Sequence, residues 1–120
     1  YAVNKPIGVV CTNRDPQGRP RVVDLVPQGA RLFSIGRLDR NSTGLILLTN
    51  DGTVAQRLTH PKYGVRKTYR VLVAGSIDRD QLGLLRKGVY LAEGRARADD
   101  ATIRKQHKNS TEIEIVLSEG

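Results

Sequence analysis

Two side chains of opposite charge, Arg37 and Asp39, lie two residues apart near the start of the stretch formed by residues 36–52. If this segment is extended, both side chains point to one side, and Leu38 points to the other, toward a core. A neighbouring guanidinium keeps a carboxylate ionised, which is the form that a nucleophile or a general base requires. The spacing therefore indicates a carboxylate and a guanidinium that are presented together from one loop.

The residues that follow must hold this pair in place. An uninterrupted apolar run over residues 45–49 is bounded by Gly44 and by an Asn-Asp-Gly sequence, and it predicts a short strand that is buried on both faces. Gly36 and Gly44 bracket the charged pair, and glycine permits backbone angles that other residues avoid. We expect a tight loop on a rigid strand.

Two other interpretations of the same residues stay open. One is an ordinary surface ion pair between Arg37 and Asp39, since exposed pairs are common and weak. The other is a calcium site, because the sequence Asp-x-Asn-x-Thr-Gly from Asp39 matches the first half of a calcium-binding loop. However, the twelfth position is Asn50 instead of the Glu that the ion needs. In addition, residues 31–38 alternate too strongly to be the entering helix.

The balance of charge indicates the class of partner. The 120 residues include 20 Lys and Arg against 12 Asp and Glu, which gives a net charge of +8 and a pI of about 10.2. Such a chain attracts polyanions, and nucleic acid is the usual polyanion. An anionic membrane surface would require a basic amphipathic helix with a large apolar face, which we do not find. No run approaches the roughly 18 apolar residues of a transmembrane span.

The sequence offers none of the usual motifs for a metal or a cofactor. It has no Cys/His cluster for zinc, no phosphate-binding Gly-rich loop with its Lys, and no Gly-x-Ser-x-Gly turn. The single cysteine, Cys11, follows two valines in a predicted strand, so we expect a buried thiol and not a nucleophile. A chain without an internal disulfide fits a reducing cytoplasm.

The spacing of apolar residues predicts one domain of the α+β class, with a largely antiparallel sheet and a few flanking helices. Asp51 and Asp78 are predicted helix N-caps, and Gly88 is predicted to end the second helix. A short helix or turn after the loop at residues 13–20 is predicted to bury Val23 and Val26. Predicted helices cover residues 51–58 and 78–86; predicted strands cover residues 1–12 with a kink at Pro-Ile-Gly, 31–35, 45–49, 67–76, 89–91, 95–104 and 111–117.

Four stretches together resemble a known family. Residues 36–52 (Gly-Arg-Leu-Asp-Arg-Asn-Ser-Thr-Gly-Leu-Ile-Leu-Leu-Thr-Asn-Asp-Gly) resemble the central motif of the pseudouridine synthases, in particular of the RsuA/RluB-type branch that acts on ribosomal RNA. Residues 4–8 (Asn-Lys-Pro-Ile-Gly) resemble the opening of that branch. Residues 58–61 (Leu-Thr-His-Pro) resemble the end of its next helix, and residues 67–71 (Lys-Thr-Tyr-Arg-Val) resemble its Lys-x-Tyr strand. The order and spacing of the four motifs are preserved.

The resemblance implies an activity, the isomerisation of uridine to pseudouridine in ribosomal RNA, which needs no cofactor and no metal. It implies that Asp39 is the catalytic carboxylate. It also implies that Arg37 occupies the position vacated by the flipped uridine, where its planar head can stack as a base would. Tyr69 matches the family tyrosine that packs on the uracil, although from its pattern alone it is a core residue of an alternating strand.

Three arginines in basic loops are expected to contact the RNA backbone without base specificity: Arg14, Arg19 and Arg66. The loop at residues 13–20 that holds the first two also has a simpler interpretation as a solvated loop, because it contains two prolines and a glycine. The excess of positive charge favours the phosphate-contacting role.

In the family that the chain resembles, the Ser-Glu-Gly sequence at residues 118–120 leads into an Arg-rich segment that supplies the basic partner of the catalytic Asp. Most relatives also carry an N-terminal S4-type RNA-binding domain. We therefore expect residues 1–120 to be a catalytic domain that is truncated at its C-terminus, lacks the S4-type domain and is inactive by itself.

The same resemblance indicates the RNA substrate, the oligomeric state and the cellular compartment. Large-subunit ribosomal RNA is favoured by the Gly-Arg-Pro sequence at residues 18–20 and by residues 58–61. A small-subunit ribosomal RNA enzyme and a non-catalytic RNA-binding module on the same scaffold stay as alternatives. We expect a monomer that acts in the cytoplasm.

Overall fold

The computed structural model describes residues 1–118, which form two compact units, Tyr1–Tyr63 and a second unit that begins at Gly64. Residues 119 and 120, which complete the Ser-Glu-Gly sequence, lie outside the described residues. Each unit combines a three-stranded antiparallel sheet with one α-helix, so the predicted α+β class with antiparallel pairing is confirmed. Within residues 1–118, no helix is both long enough and apolar enough to cross a bilayer.

The first unit is organised around a central strand that follows the Asp39 loop. This strand pairs with an antiparallel neighbour on each side, with Val3 opposite Ile46 and Ile35 opposite Leu47. Two 3-10 turns, Val22–Leu25 and Pro61–Tyr63, flank the sheet. The regular elements are β1 (Ala2–Lys5), β2 (Phe33–Ile35), the central β3 (Gly44–Thr49) and α1 (Gly52–Thr59).

The hydrophobic core of the first unit lies on one face of β3. The buried cluster consists of Val9, Cys11, Val22, Ile46 and Leu48. Leu45 points to the other face and is 69% exposed, so the prediction of a strand buried on both faces is wrong. An apolar run fixes where a strand lies, but it does not show whether the second face is covered, because successive side chains alternate between faces. The expected burial of the Cys11 thiol is confirmed.

Two predictions for the segment between β1 and β2 need correction. The second half of the predicted strand over residues 1–12 does not form, because Val10 makes only an isolated parallel bridge with Arg21. Its N–H donates to the Pro20 carbonyl oxygen at 3.0 Å, and its own carbonyl oxygen accepts from Val22 at 2.9 Å. This bridge draws Val22 into the core, so Val22 is fully buried while Val23 and Val26 are only partly buried.

The second unit contains a three-stranded sheet in which the last strand of the chain lies at the centre. The alternation predicted for residues 67–76 is confirmed, because half-buried and exposed side chains alternate along the whole strand. The buried residues between sheet and helix are Leu82, Ala101 and Ile113. The elements are β4 (Lys67–Ala74), α2 (Arg79–Lys87), β5 (Val89–Leu91), β6 (Gly94–Ala96), β7 (Asp100–Gln106) and β8 (Ser110–Leu117), in the sheet order β4-β8-β7 with β5 and β6 as a separate hairpin.

Both helices begin at the predicted N-caps. The Asp51 carboxylate accepts from the N–H of Thr53 at 2.9 Å, which satisfies a donor that the first helical turn leaves free. Asp78 and Gln81 form a reciprocal capping box, with hydrogen bonds of 2.8 and 2.9 Å. The predicted C-terminal glycine of α2 is also confirmed, since Gly88 has a φ of 114°.

The prediction of one continuous return strand over residues 95–104 is wrong, because this segment is interrupted. It is split into β6, which pairs with β5, and β7, which pairs with β8. At the break, the N–H of Ala98 donates to the Leu85 carbonyl oxygen at 2.9 Å and the N–H of Asp99 donates to the Val116 carbonyl oxygen at 2.8 Å. At this point the backbone N–H groups therefore find acceptors in α2 and β8, and the chain leaves the hairpin.

The loop at residues 13–20 is held by an ion pair within the loop. The Arg19 guanidinium donates two hydrogen bonds of 3.0 Å to the Asp15 carboxylate, and the Arg19 backbone N–H adds a third at 2.6 Å. The Asp15 side chain is only 2% exposed. The hydrogen bonds from the Arg19 side chain lower the pKa of Asp15 from 3.8 to about 2. Arg19 is therefore a structural member of the loop that displays Arg14.

The Asp15–Arg19 pair predicts how this loop responds to acid. Because the pKa of Asp15 is depressed in the folded protein, its contribution to stability is complete above about pH 4. The contribution is lost as the pH falls from about 4 through about 2. We expect the Asp15 carboxyl carbon to titrate with a midpoint near 2 by NMR, and Arg19→Gln to return it toward about 4.

The matched control is Arg21→Gln, which removes a guanidinium that pairs with Asp24 and not with Asp15. It should leave the Asp15 midpoint unchanged. An Asp15 midpoint that is the same in the Arg19→Gln variant and in the unaltered protein would contradict this account of the loop.

Candidate active site

The loop between β2 and β3 displays both charged residues that the sequence singles out. Gly36 ends β2 with a φ of 74°, a conformation that glycine adopts without strain, and the chain turns there into the loop. Leu38 packs against the core of the first unit, and its N–H donates to the Cys11 sulfur at 3.4 Å. Arg37 and Asp39, on either side of it, are exposed. The expected alternation, with Leu38 inward and its two neighbours outward, is confirmed.

A buried lysine anchors the same loop from below. Lys5, at the end of β1, is fully buried, and its ammonium donates to the carbonyl oxygens of Pro6 at 2.9 Å, Val9 at 2.8 Å and Arg40 at 3.2 Å. An ammonium has three N–H donors, and all three find a partner here. Such pairing is what permits a charged group to stay buried, since an unpaired buried charge is very costly. Lys5 thus joins the turn after β1 to the residue that follows Asp39.

Two backbone hydrogen bonds complete this anchoring. The N–H of Gly8 donates to the Arg40 carbonyl oxygen at 2.9 Å, so that oxygen accepts from two donors on the β1 side. The N–H of Ser42 donates to the Asp39 carbonyl oxygen at 3.0 Å, which closes a turn immediately after Asp39. The backbone of Asp39 is therefore held on both sides, while its carboxylate stays exposed.

The role of Lys5 was not predicted from the sequence, although one signal pointed to it. In β1 the buried and exposed positions alternate, and Lys5 lies on the same face as Val3, the face that turns toward the core. A lysine at a core position of a strand indicates a buried charge that needs several acceptors. The carbonyl oxygens that satisfy it come from loops, and no residue pattern predicts those.

The alternatives considered for Arg37 and Asp39 are not seen in the structure. Among residues 1–118, no Lys or Arg nitrogen lies within 4.0 Å of the Asp39 carboxylate, so the surface ion pair does not form. The calcium interpretation requires an entering helix, and the strand Phe33–Ile35 stands in its place. No group of three or more His, Cys, Asp and Glu that would suit a metal ion occurs within the described part of the chain.

The other residues singled out in the sequence lie elsewhere. Arg14 is exposed in the loop whose Asp15–Arg19 pair is described above. Arg66 and Tyr69 belong to the second unit, where Arg66 is exposed just before β4. Tyr69 is half-buried on β4, opposite Ile115 of β8. The structure thus brings Arg37 and Asp39 together on one loop, and Arg14 and Arg19 together on another.

Comparison with known proteins identifies the relatives of this chain. A profile of the RNA pseudouridylate synthase family matches residues 1–120. An uncharacterised RNA pseudouridine synthase of Mycobacterium bovis is 42% identical over 99% of this chain and 48% of its own length. The ribosomal large subunit pseudouridine synthase B of Pasteurella multocida is 41% identical over 97% of this chain and 34% of its own.

A solved structure gives the same result. The crystal structure of a pseudouridylate synthase superimposes with a TM-score of 0.81 and 31% sequence identity, over 99% of this chain and 50% of the other. The chain therefore spans at most about half the length of these relatives. Because the family profile covers every residue and the relatives from Mycobacterium bovis and Pasteurella multocida are more than 40% identical, the chain belongs to the RNA pseudouridylate synthase family.

Proposed function

We propose that the natural protein isomerises uridine to pseudouridine in large-subunit ribosomal RNA. The observation that carries the proposal is the Asp39 loop, in which an exposed carboxylate stands on a backbone held by Lys5 and Leu38. The substrate class is supported by relatives from Pasteurella multocida and Vibrio cholerae that are named ribosomal large subunit pseudouridine synthase B and are 41% and 40% identical to this chain.

The chemistry asks little of the protein beyond one well-placed carboxylate. The bond between N1 of the base and C1′ of the sugar breaks, the uracil turns, and a bond forms between C5 and C1′. C5 loses a proton and N1 gains one, so nothing is oxidised and no group is imported. In our proposal the reaction needs no cofactor, and Asp39 acts as the ionised nucleophile or base.

The uridine must leave its stack to reach Asp39. We assign Arg37 to the vacated position, which suits an exposed guanidinium two residues away that can stack as a base would. We assign Tyr69 to the face of the flipped uracil. Its ring is half-buried on a regular strand, which would hold it rigidly in that role.

The basic loops provide the electrostatic part of binding. Arg14 and Arg66 are exposed and are assigned to phosphates of the RNA. Arg19 already donates two side-chain hydrogen bonds to Asp15, so its main contribution is to hold the loop that displays Arg14. We further propose that the protein acts as a monomer in the cytoplasm, where the buried Cys11 thiol stays reduced.

The catalytic assignment predicts the effect of Asp39→Asn. This substitution keeps the shape of the side chain and removes its charge. In the intact natural protein it should lower turnover on a ribosomal RNA transcript by roughly 10³-fold or more, while RNA affinity stays near that of the unaltered protein. The measurement is pseudouridine content by mass spectrometry together with RNA binding.

Asp80→Asn, at an exposed carboxylate on α2, is the control and should change neither turnover nor RNA affinity. Turnover by the Asp39→Asn variant at the rate of the unaltered protein would contradict the catalytic assignment.

The electrostatic assignment predicts the salt dependence of RNA binding. Binding should weaken steeply as salt rises, and Arg14→Gln or Arg66→Gln should each reduce the slope of log affinity against log salt by about 0.7, the value for one phosphate of a single strand. Arg21→Gln is the matched control, because the Arg21 guanidinium is already paired with Asp24. An affinity that is flat between low and moderate salt would count against a nucleic-acid partner.

A further inference from the structure

The hairpin formed by β5 and β6 exposes an aromatic ring that no part of the proposed mechanism uses. Tyr90 is 85% exposed and Leu91, next to it, is 55% exposed. Two other tyrosines, Tyr1 and Tyr63, are 62% and 46% exposed, so Tyr90 has the most exposed tyrosine side chain of the described residues. A tyrosine supplies a broad flat surface with a polar tip, which suits a binding site at a wet surface.

The surroundings of this ring are strongly basic. Between residues 84 and 97 there are four cationic residues, Arg86, Lys87, Arg95 and Arg97, of which Arg86 is paired with the nearby Asp100 at 3.4 Å, against one acidic residue, Glu93. All five are exposed. The local charge therefore favours an anionic partner over an uncharged, apolar partner.

One of these cations is fixed in place next to the ring. Tyr90 and Arg95 are opposite each other in the antiparallel hairpin, so their side chains project from the same face. The Arg95 guanidinium lies against Gly88, where a Cβ atom would come within 2.7 Å of its Nε. It donates to the Lys87 carbonyl oxygen at the end of α2. Gly88 thus leaves the space in which Arg95 braces the hairpin against the helix.

From this arrangement we propose that the β5–β6 hairpin binds an unpaired segment of RNA, with Tyr90 stacked on one base. Lys87 and Arg97 hold the neighbouring phosphates. An exposed aromatic ring beside cations is the arrangement with which proteins bind single-stranded nucleic acid, because every base has a face on which a ring can stack. The inference rests on the proposed function only in taking RNA as the anion, and it assigns a contact separate from Asp39.

The test compares three substitutions of one residue in the intact natural protein. Tyr90→Ala should weaken binding to a ribosomal RNA transcript by roughly 5- to 150-fold, the range that corresponds to loss of one stacked base. Tyr90→Leu keeps an apolar side chain without a ring, and it should weaken binding about as much as Tyr90→Ala. Tyr90→Phe keeps the ring and should stay within about twofold of the unaltered protein. Because the side chain is exposed, thermal melting should be the same for all three.

The cationic arm is tested with a matched pair of arginines in the same unit. Arg97→Gln should reduce the salt slope of RNA binding by about 0.7. Arg104→Gln, at an arginine that lies 3.9 Å from Glu114, should leave the slope unchanged. Equal slopes for both variants and the unaltered protein would overturn the assignment of Arg97.

The outcomes separate this inference from the proposed function. Unchanged affinity in all three Tyr90 variants would overturn the hairpin assignment even if the protein isomerises uridine. Weakened binding in Tyr90→Ala with full binding in Tyr90→Leu would also overturn it, because an apolar contact and not stacking would then be at work. Binding that depends on the Tyr90 ring in a protein without isomerase activity would support the hairpin assignment and contradict the proposed function. A protein that binds no RNA would contradict both.

Discussion

The ammonium of Lys5 makes the connection on which the Asp39 loop depends. Its three carbonyl acceptors belong to Pro6 and Val9, in the turn after β1, and to Arg40, 35 residues away from Lys5, and no strand pairing joins them. A fully buried charge with three charge-assisted hydrogen bonds specifies one arrangement of the surrounding backbone, because each bond lost would leave a desolvated polar group. Small displacements of this loop are therefore resisted from within the core, although Asp39 itself reaches into solvent.

The two units use their sheets in different ways. In the first, β3 carries the core on one face, and the loop that precedes it carries Asp39, the carboxylate to which we assign the catalytic role. In the second, β8 forms the centre of the sheet, and the functions we assign fall on a half-buried ring at Tyr69 and an exposed ring at Tyr90. The rigid parts of both units are antiparallel strands and capped helices. Apart from Tyr69 on β4, most of the residues assigned to RNA project from loops and from one hairpin. This division is common, since binding residues are concentrated on loops that a rigid scaffold positions.

The sequence was sufficient wherever the determining interaction is local. The caps at Asp51 and Asp78, the terminating Gly88 and the alternation of β4 all follow from residues within a few positions, and all are confirmed. The outward direction of Asp39 also follows from local alternation around Leu38. Predictions were wrong where distant partners decide: the exposed second face at Leu45, and the strand that splits because Asp99 donates to Val116 instead of continuing the hairpin.

Lys5 illustrates the same limit within the candidate site. Its face of β1 is readable from the sequence, but its acceptors are loop carbonyl oxygens, one of them 35 residues away along the chain. The roles assigned to Asp39, Arg37 and Tyr69 rest on resemblance to a family. Residue types alone leave a surface ion pair open for Arg37 and Asp39, and they favour a core position for Tyr69. The hydrogen bonds around Asp39 add to the resemblance the reason why the backbone that carries this carboxylate is held in place.

The measurement that tests this account most directly is turnover by a Lys5→Met variant of the intact natural protein, at a temperature at which circular dichroism shows that it is folded. Met keeps the length of the side chain and removes the three donors. If Lys5 positions Asp39, kcat should fall by about 10²-fold, as expected for a misplaced reacting group, with RNA affinity nearly unchanged. Lys62→Met, at an exposed lysine of the same unit, should leave kcat unchanged. A folded Lys5→Met variant with the kcat of the unaltered protein would contradict the account.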